Sequence, residues 1–120
     1  VNVPTQRAAL YALEHHDAKM EERARVFRDR LAYVAKRLNA MKGVRCAEPE
    51  GAFYLFPDIR GTGADSEQFA WGLLEKGRVA TLPGSAFGAC GEGYVRIACT
   101  RSMEMLEKGM DRMEEFVKSL

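Results

Sequence analysis

Apolar residues recur at alternating intervals of four and three along one stretch of the chain: Met20, Ala24, Phe27, Leu31, Val34, Leu38 and Met41. At the α-helical period that spacing lays them on a single stripe. The chain is therefore committed to a long amphipathic helix, from about Asp17 to Lys42, with one side to bury. Asp17, Glu21 and Glu22 lie near its start and Lys36, Arg37 and Lys42 near its end, an order that opposes the helix dipole favourably at both termini. Gly43 is expected to supply the left-handed C-terminal cap. Upstream, Gln6 to Glu14 also reads as helix, with Ala8, Leu10, Ala12 and Leu13 apolar, and no signal fixes its boundary with the long one.

Downstream the period shortens. Val44 to Ala47 and Ala52 to Phe56 are candidate strands, stopped by Pro49 and Pro57. Asp65, with Gln68 three residues on, is a variant capping box. It opens a helix that turns Phe69, Leu73 and Leu74 inward and ends at Gly77. Val79 to Leu82 is a third strand, Pro83 to Gly93 a glycine-rich run of turns, and Tyr94 to Cys99 a further strand. Ser102 caps a last helix carrying Met103, Leu106, Met110, Met113, Val117 and Leu120 on one stripe, which reads as core. The order is helix, two strands, helix, two strands, helix. It predicts an α/β (α+β) two-layer sandwich: a small mixed or antiparallel sheet with helices packed on one face, preceded by the long helix.

At 120 residues there is room for one domain and one core. Lys and Arg number 18 against 17 acidic residues, which gives no electrostatic reason to expect nucleic acid or an anionic membrane as partner. No apolar run approaches the roughly 20 residues of a membrane helix. Val1 to Thr5 lacks the layout of a secretory signal and holds no initiator Met, so the chain is expected to begin mid-protein. Cys46, Cys90 and Cys99 are odd in number and lack CxxC spacing, a pattern of reduced cytoplasmic thiols rather than of a disulfide frame or zinc site.

Ala52 to Phe56, and most of Tyr94 to Cys99, are apolar at both parities. A sheet covered on one side only should alternate apolar and polar residues. Either these are simply aromatic-rich central strands, or a second body covers the outer face. Arg96 stands in the middle of the second run, where a guanidinium is costly unless partnered. It could snorkel to the sheet edge or pair with an internal carboxylate. Alternatively, a rigid strand holds its planar fork ready for a carboxylate ligand. Other candidates are weaker. The glycines of Pro83 to Gly93 are followed by a strand and by no Gly-Lys-Ser/Thr, so they do not form a phosphate loop. Ser85 is in no nucleophile elbow. The adjacent His15 and His16 point about 100° apart on a helix and do not readily share an ion. Nothing beside Cys90 marks it as activated.

Taken together, several segments resemble the class I/II, fold-type I aminotransferases of the aspartate aminotransferase superfamily. They are Pro49-Glu50-Gly51-Ala52-Phe53-Tyr54-Leu55-Phe56-Pro57, then Asp65-Ser66 opening a helix, then Arg78-Val79-Ala80-Thr81-Leu82-Pro83-Gly84-Ser85-Ala86-Phe87-Gly88. Gly91-Glu92-Gly93-Tyr94-Val95-Arg96-Ile97-Ala98 follows, and Pro4-Thr5-Gln6-Arg7-Ala8-Ala9-Leu10 resembles the segment after the family's large domain. The resemblance implies that residues 1–16 are a lead-in and 17–120 the C-terminal small domain. It implies that Arg96 binds the α-carboxylate of an amino-acid substrate, with Phe87 and Tyr54 as further candidates for the cleft. It implies a pyridoxal 5'-phosphate enzyme, cytoplasmic and homodimeric, that moves an amino group between an amino acid and a 2-oxo acid. The family's cofactor lysine lies upstream in a Ser-x-x-Lys context that none of Lys19, Lys36, Lys42, Lys76, Lys108 and Lys118 shares. No catalytic or cofactor-binding residue is therefore expected in this chain, which should be inactive without the large cofactor domain. The same fold in a pyridoxal-phosphate lyase or regulator, or a free-standing small-molecule-binding domain, are the alternatives.

Overall fold

A computed structural model describes residues 1–15 and 18–120. Asp17, expected at the start of the long helix, and His16 lie outside them. Helix α1, Val3–Glu14, starts earlier than its apolar residues suggest. The Asn2 side chain accepts the Thr5 N–H at 3.0 Å, and Pro4 sits in the first turn, where its missing N–H costs nothing. No residue of α1 is buried.

Helix α2, Ala18–Asn39, carries the long stripe, but the stripe is only half used. Leu31, Val34 and Leu38 are buried in the core, whereas Met20 and Ala24 are exposed and Phe27 is half-buried. The helix stops at Asn39 rather than Lys42. The Asn39 amide accepts the Cys46 N–H and donates to the Cys46 carbonyl, both at 2.9 Å, standing in for a neighbouring strand. Gly43 is therefore not the immediate cap. It takes φ 82° in the turn that follows, where a Cβ would overlap the Gly61 carbonyl.

The sheet has three strands, all antiparallel, in the order β1-β3-β2: β1 Tyr54–Leu55, β2 Leu82–Pro83 and β3 Val95–Ala98. Tyr54 faces Ala98 and Leu55 faces Ile97; Leu82 faces Arg96 and Pro83 faces Val95. Each expected strand is trimmed, and one is lost. Val44 to Ala47 makes only the Arg45–Asp58 bridge, because Asn39 already satisfies Cys46. The run Ala52 to Phe56 pairs only from Tyr54, since Ala52 adopts φ 61°, outside the extended region. Val79 to Leu82 pairs only at its end.

Helix α3, Ser66–Gly72, begins with the capping box: Asp65 accepts the Gln68 N–H at 2.8 Å, and the Gln68 side chain reaches back to the Asp65 N–H. A π-helical turn, Leu73–Gly77, extends it to the expected glycine. Leu74 is 39% exposed, against the expectation that it faces the core: it follows Leu73 directly and so lies about 100° round the helix from it, while Phe69 and Leu73 are fully buried. Ser102 caps α4, Met103–Lys118, accepting the Met105 N–H at 3.4 Å. Leu106, Met110, Met113 and Val117 of its stripe are core; Leu120 lies beyond the helix and is exposed.

Helices α2, α3 and α4 all lie on the same side of the sheet, against Leu55, Val95 and Ile97. Arg37 ties α2 to α4 by ion pairs to Asp111 at 2.7 Å and Glu114 at 3.1 Å. The two layers are thus formed, and among the described residues the other sheet face has no layer on it. The radius of gyration is 16.6 Å, against about 14 Å for a compact domain of this length.

Candidate functional site

Burial alternates along β3: Val95 and Ile97 are buried, Arg96 is half-buried and Ala98 exposed. The antiparallel register brings Tyr54 and Leu82 to the side of Arg96, and both are open, at 37% and 45% exposure. Phe56, two residues from Tyr54, and Phe87 lie on the same side and are also exposed. The Arg96 guanidinium thus sits on an uncovered, largely aromatic surface.

β3 is the central strand, so the Arg96 side chain does not escape over a sheet edge. Among the described residues no carboxylate pairs with it. Its contacts are rings: the guanidinium carbon lies 4.5 Å from the Tyr54 centroid and 4.7 Å from the Phe87 centroid. Cation–π attraction acts through the ring quadrupole and consumes no N–H, so the donors of the fork stay available to an anion.

The surrounding rings continue the pattern. Phe87 meets Phe56 edge-on at 6.0 Å, and Phe56 stacks on Tyr94 at 5.3 Å and 4°. The Arg60 guanidinium carbon lies 5.4 Å from the Tyr94 centroid. Unlike Arg96, Arg60 has an acid: its Nε donates to Asp58 Oδ1 at 3.0 Å and Oδ2 at 3.1 Å. Those bonds hold the Asp58 carboxyl down at about 2.

Phe87 is delivered by the glycine run. Residues Gly84–Phe87 and Ala89–Gly91 form 3₁₀ turns. The two backbones cross so closely that a Cβ on Gly84 would overlap the Gly91 carbonyl, and one on Gly91 the Gly84 carbonyl. Glu92 then fastens the run to the start of α3. Its Oε1 accepts the Ser66 N–H at 2.9 Å, the Ser66 hydroxyl at 3.0 Å and the Gly93 N–H at 2.9 Å. These bonds, the Ser66 N–H foremost, hold the Glu92 carboxyl below its usual range.

The sequence singled out Arg96, Tyr54 and Phe87, and the fold brings these three together. It missed Phe56 and Leu82. The signal for Phe56 is its shared parity with Tyr54; for Leu82 it is the β2–β3 register, which only the fold fixes. The weaker candidates are not among the rings around Arg96. His15 is exposed, its Nδ1 3.0 Å from the Tyr11 carbonyl and its ring stacked on Tyr11 at 4.0 Å. Ser85 lies in a 3₁₀ turn, and Cys90 is exposed. Cys46 and Cys99 are buried, and burial pushes the Cys99 thiol up to about 11.

The open face offers pyridoxal phosphate neither an amine for covalent attachment nor a phosphate cradle. Lys19, Lys36, Lys42, Lys76, Lys108 and Lys118 are all exposed, and the cations that lie on the aromatic run, Arg96 and Arg60, are guanidinium groups that form no Schiff base. A Schiff-base lysine works from a desolvated or electropositive pocket, which none of these occupies. The described residues therefore do not fit the cofactor by themselves.

Comparison with known proteins identifies the family. The family model described as aminotransferase class I and II matches residues 1–113. An aspartate aminotransferase of Pyrococcus horikoshii is 46% identical over 112 residues, covering 92% of this chain and 29% of the relative. Aromatic-amino-acid aminotransferase 2 of Thermococcus litoralis is 45% identical over 115 residues, again 29% of its length. The structure of an alanine aminotransferase from Pyrococcus furiosus superposes with a TM-score of 0.90 at 35% identity, over 99% of this chain and 30% of that one. The chain thus spans about 30% of the length of the proteins it matches. By its sequence, its fold and the family model that covers nearly all of it, the chain belongs to the class I and II aminotransferases.

Proposed function

We propose that this chain is the substrate-carboxylate-binding C-terminal portion of a pyridoxal-phosphate aminotransferase, and that Arg96 is its carboxylate anchor. The observation that carries the reading is a half-buried guanidinium on the central strand, without an acid of its own among the described residues, facing an open surface. A planar fork in that position makes two parallel charge-assisted hydrogen bonds to a carboxylate. Such a clamp fixes the orientation of the α-carbon, which decides the bond that reacts. The cofactor, when bound, supplies the electron sink, and its holding residues belong to a large domain outside this chain.

Three features support a missing covering body: the exposed Tyr54, Phe56 and Leu82 on the sheet, an α1 without buried residues, and the fraction of the relatives' length that the chain spans. On this reading residues 1–16 lead in from the large domain, 17–120 form the small domain, and the parent is a cytoplasmic homodimer. The relatives' names refer to aspartate, aromatic and alanine aminotransferases. An anchor common to all α-amino acids agrees with that spread, and the donor is not set by Arg96.

The test is Arg96→Ala in the full-length parent. Losing charge-assisted bonds worth about 1.5–3 kcal/mol each should lower kcat/KM by a factor on the order of 10² or more. Cofactor absorbance should be retained. Near-parental turnover would remove the assignment.

A further inference from the structure

We propose that Tyr54 and Phe87 are positioning residues that preset the Arg96 guanidinium for its ligand; the inference rests on the carboxylate reading above. An arginine on an open face has many rotamers, and freezing one on binding weakens the complex. An internal acid would hold the side chain still, as Asp58 holds Arg60, but it would occupy the donors that the substrate needs. Aromatic faces restrain the cation without occupying them. The geometry matches this requirement, with the guanidinium carbon at 4.5 Å from one ring and 4.7 Å from the other.

Each ring is itself held by a different part of the fold. Tyr54 is fixed by its pairing with Ala98 and by a ring contact to Phe53 at 4.3 Å. Phe87 is fixed by the 3₁₀ turn Gly84–Phe87, by its edge contact to Phe56, and by the Glu92–Ser66 hydrogen bonds that anchor the loop. Neither ring contributes substantially to the core: Phe87 is 52% and Tyr54 37% exposed. Two large aromatic side chains left open beside a cation that has no acid among the described residues are therefore explained by what they do to that cation.

The experiment uses the full-length parent enzyme with Tyr54→Leu and Phe87→Leu, which keep an apolar side chain and remove the ring, and with the ring-preserving Tyr54→Phe and Phe87→Tyr. Each Leu variant should raise KM for both the amino acid and the 2-oxo acid by roughly 3–30-fold, with kcat altered by less than about threefold and cofactor absorbance kept. The ring-preserving variants should return KM to within about twofold of the parent. The proposal is overturned if both Leu variants keep parental KM, if the ring-preserving variants share the defect, or if kcat falls as far as KM rises. Arg96→Ala, measured in parallel, separates the two readings. Parental kcat/KM in that variant overturns the carboxylate anchor and this proposal with it. A collapse there with silent Leu variants overturns the positioning role alone.

Discussion

Two arginines, Arg96 on the central strand and Arg60 at the start of a 3₁₀ turn, both lie against the aromatic run and have opposite surroundings. Arg60 is committed to Asp58, whose carboxyl it holds near 2, well below an unperturbed aspartate. A carboxyl with a depressed folded-state pKa stabilises the fold above its unfolded pKa, and that stability is lost as pH falls through the folded value. Asp58→Asn should therefore lower Tm at pH 7, with the deficit shrinking between about pH 4 and pH 2. Thermal melts of parent and variant across that window check it; a deficit that does not depend on pH would contradict it. Among the described residues Arg96 has no such acid, and its charge is tolerable because its face is open and its neighbours are rings. Arg96→Lys keeps the charge but loses the fork, and its kcat/KM should fall between those of the parent and Arg96→Ala. Steady-state kinetics on the three proteins decide the order.

At the scale of elements, what is local was legible and what is tertiary was not. Caps and stripes are set by neighbours in sequence, so Asp65–Gln68, Ser102 and the core positions of α4 and of the second half of α2 could be read directly. Strand limits depend on partners. Nothing in Val44 to Ala47 announces that the Asn39 amide takes the place of a strand, and nothing at Ala52 announces a positive φ. The π turn Leu73–Gly77 is signalled by no residue pattern. The site divides in the same way. A charge inside an apolar strand singled out Arg96, whereas Leu82 enters only through the β2–β3 register. The capping box gives a direct check: Asp65→Ala should cost about 1 kcal/mol of stability by denaturant unfolding. No change in midpoint would show that the cap does not hold α3.

For the whole molecule, the unbalanced burial is the main fact. Leu10, Tyr11 and Leu13 of α1, Val26 in the first half of α2, and the rings around Arg96 are exposed, while the helical side of the sheet is packed. Apolar surface of that extent seeks cover. The 120 residues alone should self-associate in a concentration-dependent way by light scattering; a monodisperse monomer at all concentrations would argue that no covering body is missing. Titrated with pyridoxal phosphate, they should also show no stoichiometric covalent adduct at a single lysine by mass spectrometry, and such an adduct would contradict the placement of the cofactor site elsewhere. The central claim is that Arg96 recognises a carboxylate, and one comparison reaches it most directly. Measure kcat/KM of the full-length parent and of Arg96→Ala for an amino acid and for the amine that lacks only its α-carboxylate. The account predicts that the parent strongly prefers the amino acid and that Arg96→Ala loses most of that preference. An equal preference in both proteins would contradict it.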